Sequence, residues 1–134
     1  MNLRLLGALQ WVGLLLGAGV WSTAHLAGFG VTQAECGAAA GSFGISNDLW
    51  QGVIMGISIA LLLVAEAAAV AVFAQTRGAN FGDGPPGEGR FHGELPQTRI
   101  HFFATAAIFA NAIFLMIVLL DGAAVIVHGT CTQA

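Results

Sequence analysis

Residues 49–74, LWQGVIMGISIALLLVAEAAAVAVFA, form a continuous apolar run with one charge in it, Glu66. The run does not alternate as a half-buried strand would. It is long enough to cross a hydrocarbon core of about 30 Å, which takes about 20 helical residues. Two stretches of the same kind flank it, from about Leu5 to Gly30 and from about Ile100 to Val127. All three exceed the minimum, so tilt or protrusion follows. Long continuous runs, and only three of them, exclude a closed β-barrel. The expected fold is all-α and integral to the membrane, with spans of about 5–30, 49–74 and 100–127 in a single domain covering 1–134.

Composition agrees. Of 134 residues, 57% are hydrophobic and 8% are charged, against roughly 25% charged in an ordinary soluble domain. Mean hydropathy is +0.81. These figures exclude a water-soluble globular domain and a disordered tail. A net charge of -3 without a basic patch excludes a nucleic-acid binder. The chain is too short to hold both this membrane domain and a separate enzymatic one.

Two linkers separate the spans. Residues 31–48 are small, Gly-rich and weakly acidic, while 77–99 hold all three prolines and most of the charge. Pro85-Pro86 between glycines predicts an extended loop over the second. Arg4 precedes the first span, and Arg77, Arg90 and Arg99 lie in or border the second linker. With three spans, all four arginines fall on one side. The positive-inside rule makes that side cytoplasmic, with the N-terminus in the cytoplasm and the C-terminus in the periplasm. The first apolar run is far longer than the 7–15 residues of a signal-peptide core. It therefore reads as a span.

The two cysteines, Cys36 in the first linker and Cys131 in the tail, fall together on the outer side. In a bacterium that side is oxidising. The expected result is a Cys36–Cys131 disulfide, and the alternative is two unpaired buried thiols. Chain entropy puts such a crosslink at about 4–5 kcal/mol, less where inserted helices already restrain the chain.

Ionisable groups at membrane depth are functional hypotheses by default. At 1.5 Å per residue from the arginines, Glu66 lies about 16 Å in and Asn111 about 18 Å in. The two share a level on antiparallel helices, so a hydrogen bond between them is expected. His25 and Asp121 share a second level, about 31–33 Å in by the same scale. The bland reading of both pairs is interhelical polar glue; the sharper one is a proton relay or a partner contact. Gly13-x-x-x-Gly17 and Gly52-x-x-x-Gly56 are helix-packing candidates. Three helices cannot bury all of these small faces against one another, which points to other subunits. Trp21 and Trp50 are placed as interfacial anchors. Trp11, lying deeper, reads as packing, and Phe102, Phe103, Phe109 and Phe114 as packing or lipid-facing.

No metal cluster, phosphate loop or nucleophile elbow occurs, and no inverted repeat of a transporter. A bis-histidine heme is disfavoured, because His25 and His128 differ in depth by about 12 Å. His101 sits at the opposite end, and His92 lies in the second linker. His25 alone is a weak candidate ligand for a heme or pigment. No cofactor is expected.

VWSTAHLAGFGVTQAEC (20–36) and NAIFLMIVLLDGAAVIVHGTC (111–131) resemble small three-helix bacterial membrane proteins encoded beside heme-copper cytochrome c oxidase subunits. The matching positions are Trp21, His25, Leu26, Cys36, Arg99 and Cys131. The resemblance implies a non-catalytic accessory subunit of a respiratory oxidase or supercomplex, in the inner membrane, with other membrane subunits and lipids as partners. Two alternatives stand beside it. One is a heme- or pigment-binding subunit, and the other a small homo-oligomeric transporter using Glu66.

Overall fold

A computed structural model describes residues 3–36, 47–77 and 95–127. They form three helices, α1 (Leu3–Cys36), α2 (Asn47–Thr76) and α3 (Leu95–Val127). Each carries a stretch long and apolar enough to cross a membrane. A chain so apolar on every side of its helices satisfies its backbone inside each helix and buries its surface in lipid. At 1.5 Å per residue, helices of 34, 30 and 33 residues run about 45–51 Å. That exceeds a bilayer core of about 30 Å, so the helices tilt or project from it.

The helices reach further than the apolar runs. Residues 31–36, assigned to the first linker, continue α1, so Cys36 ends a helix instead of following one. α2 begins at Asn47, with Asp48 in its first turn, where a carboxylate complements the helix dipole. Residues 95–99, assigned to the second linker, open α3. Pro96 lies in that first turn, where a missing N–H leaves no hydrogen bond unmade. The expectations for Pro85-Pro86, Arg90, His92, His128 and Cys131 fall outside the described residues.

All three helices touch one another, and α2 runs antiparallel to α1 and α3. Three layers follow from the contacts. Leu6, Val72 and Ala104 pack together at the arginine-bearing end. Gly13, Ala69 and Asn111 meet in the middle. Val20, Leu62 and Val118 form a third layer toward the far end. The buried apolar positions are dominated by alanine, including Ala65, Ala68, Ala69, Ala104 and Ala107. Small side chains let backbones approach closely, which is how helices gain packing energy in lipid. Most of each span remains uncovered: 28, 28 and 22% of the three apolar windows is buried within the chain.

The aromatic expectations need correcting. Trp21 also packs within the bundle. It is half-buried and stacks on Phe114 of α3 with centroids 5.6 Å apart. Trp11 is not packed inside; it is 55% exposed. Trp50, Phe102, Phe103 and Phe109 face outward.

Candidate functional site

The middle layer concentrates the polar chemistry. Asn111 on α3 is one of the largest fully buried side chains, 2% exposed. Its Nδ2 donates to the Gly13 carbonyl of α1 over 2.9 Å. A helical carbonyl has a second lone pair, so it can accept this bond beside its own helical one. The approach depends on glycine. A Cβ at Gly17 would collide with Asn111 Oδ1, and one at Gly13 would come within 3.1–3.2 Å of the Ala69 backbone and side chain. The Gly13-x-x-x-Gly17 face therefore receives α2 and α3 together.

Glu66 on α2 is half-buried, with Asn111 as its side-chain hydrogen-bonding neighbour. The two groups are not mutually satisfied. Glu66 Oε2 and Asn111 Oδ1 are both buried without a partner among the described residues. Native structures leave few such atoms, because each forfeits its bonds to water.

The other expected pair, His25 and Asp121, is not joined. Both are exposed, and no hydrogen bond or ion pair links them among the described residues. His25 instead stacks on Trp21, centroids 6.0 Å apart. Trp21 Nε1 is buried without an acceptor among the described residues. Cys36 sits at the end of α1, and its expected partner Cys131 lies outside the described residues.

Gly52 and Gly56 behave unlike Gly13 and Gly17. Both are exposed, and a Cβ at either would meet nothing within 4 Å among the described residues. On another side of α2, an apolar groove of about 860 Å³ runs between it and α1, bordered by Trp11, Leu15, Val20, Ile57 and Leu61.

Two polar contacts had gone unforeseen. At the arginine-bearing end, buried Thr76 lies 2.9 Å from His101 Nδ1. The His101 ring stacks on Phe73 at 4.7 Å, and Arg77 lies over the Phe73 ring at 5.4 Å from its centroid. The signal was present, since Thr76 precedes Arg77 and His101 follows Arg99 closely, so both lie at one depth. At the far end, Gln51 Nε2 donates to the Gly28 carbonyl at 2.9 Å and to Thr32 Oγ1 at 3.2 Å, tying α2 to α1. No group of three or more metal-ligating side chains occurs among the described residues.

Comparison with protein-family models, curated proteins and solved structures finds no match to this chain.

Proposed function

We propose that this chain is a non-catalytic accessory subunit of a multi-subunit membrane electron-transfer complex, with a respiratory cytochrome c oxidase or its supercomplex as host. The observation that carries the accessory reading is the open face at Gly52 and Gly56. A small-residue surface in lipid is suited to the close approach of another helix, and the chain's own helices leave it bare. The choice of host comes from the resemblance around Trp21, His25, Cys36, Arg99 and Cys131. In this reading the arginine-bearing ends face the cytoplasm of a bacterium. Cys36 and Cys131 then form a disulfide on the periplasmic side.

The deciding experiment is to tag the chain, extract it in mild detergent and identify co-purifying proteins by mass spectrometry. Heme-copper oxidase subunits in stoichiometric amount are the expected result; a chain that purifies alone sinks the reading. Thiol counting on denatured, unreduced protein tests the disulfide, and two reactive thiols refute it.

A second reading, the homo-oligomeric transporter, is favoured by Glu66, whose buried oxygen finds no donor among the described residues. Purification alone as a defined oligomer, with uptake lost in Glu66→Gln, is its signature. The pigment alternative rests on exposed His25 and requires a visible absorption band in the purified protein.

A further inference from the structure

The middle layer is short of one hydrogen-bond donor. The Asn111 amide nitrogen already donates to the Gly13 carbonyl, with the Glu66 side chain beside it. Glu66 Oε2 and Asn111 Oδ1 nevertheless remain buried with no partner among the described residues. Both are acceptors when the carboxyl is ionised, and a carboxylate has nothing to donate. Among the described residues nothing cationic is available at this depth. α1 carries no charged or histidine side chain between Arg4 and His25, and α3 none between His101 and Asp121. α2 carries none but Glu66 between Asp48 and Arg77. The flanking residues Ala65, Ala67, Ala68 and Ala69 offer no side-chain donor either.

We infer that the Glu66–Asn111 pair is a proton-binding site in the middle of the bundle, with Glu66 held as the carboxylic acid. One bound proton turns one of the two orphaned acceptors into a donor. It also removes a net charge from a depth where an ionised side chain is costly. The site is not sealed. Glu66 is only half-buried, so part of its side chain faces the outside of the bundle. The inference does not depend on the identity of any host complex, and its test uses the isolated chain.

The test is infrared difference spectroscopy on the full-length protein in lipid nanodiscs at neutral pH, wild type minus Glu66→Gln. The expected result is a carboxylic-acid carbonyl band present only in the wild type, shifting on exchange into heavy water. In Asn111→Leu that band moves to higher frequency, because the acid loses its polar neighbour. Carboxylate stretches in place of the acid band overturn the inference. Should Glu66→Gln fail to assemble, the wild type serves alone. Dicyclohexylcarbodiimide modifies protonated carboxyls in apolar surroundings, and an adduct mapped to Glu66 by mass spectrometry is expected. Its absence from Glu66 overturns the inference. Co-purification decides the accessory reading separately, so either proposal can fail without the other.

Discussion

The two G-x-x-x-G runs have the same spacing and opposite fates. In α1, Gly13 lies against Ala69 and Gly17 against the Asn111 amide, and both are buried. In α2, Gly52 and Gly56 face open space. A small-residue motif therefore states only that a close approach is sterically allowed. Whether the approaching group belongs to the same chain depends on which way the helix is turned. The α1 motif brings the three helices together, whereas the α2 motif stays uncovered by the described helices.

Substitutions can break or sharpen that contrast. The largest effect is expected from Gly17→Val. Its Cβ would strike an Asn111 side chain pinned by a hydrogen bond, and overpacking of this kind costs about 2–3 kcal/mol. Reversible unfolding of the full chain in lipid, followed by helical signal, measures it. Asn111→Leu follows. Losing the bond to Gly13 removes an interhelical contact worth about 1–2 kcal/mol at most. If it proved neutral, the middle layer would not be what holds α3 to α1.

Gly122 supplies a control for the first prediction. A Cβ there would overlap Met55 Sδ, yet the obstacle is the far end of a flexible, adaptable side chain. Gly122→Ala should cost less than about 1 kcal/mol, well under Gly17→Val. Equal losses would show that the identity of the obstructing group does not matter. Gln51→Ala removes two part-buried hydrogen bonds and should cost under about 1 kcal/mol. The smallest effect on the isolated chain belongs to Gly56→Leu, within about 0.5 kcal/mol of neutral, as for surface changes elsewhere. The same variant should cut recovery of the partner complex sharply. Undiminished co-purification would show that the open face is not the interface.

Depth was legible in the chain and direction was not. Counting from the arginines at a fixed rise put Glu66 and Asn111 at one level, and they are neighbours. The same count applied to Thr76 and His101 identifies their contact. It could not tell that Asn111 spends its amide on the Gly13 carbonyl, because backbone acceptors leave no mark in a sequence. It also paired His25 with Asp121, two exposed residues that no bond joins. Shared depth is necessary for a contact, but it says nothing about the direction in which each side chain leaves its helix. The tryptophans show the same gap. Trp21 turns into the bundle and Trp11 out of it, a difference that position along the span does not reveal. Helix ends were misplaced for another reason. Polar residues such as Thr32, Gln33 and Glu35 end an apolar run without ending a helix, whose backbone needs only its own hydrogen bonds.

By itself the sequence determined the number of spans, the all-helical class and the levels at which polar groups sit. Length and apolarity leave a chain in lipid no other way to satisfy its backbone. Only the tertiary structure decided which glycines are filled, which carboxyl oxygen lacks a donor and which helix face stays bare. Those outcomes depend on the rotation of each helix about its axis. Helices that are apolar on every side carry too weak a directional pattern to specify that rotation before they pack.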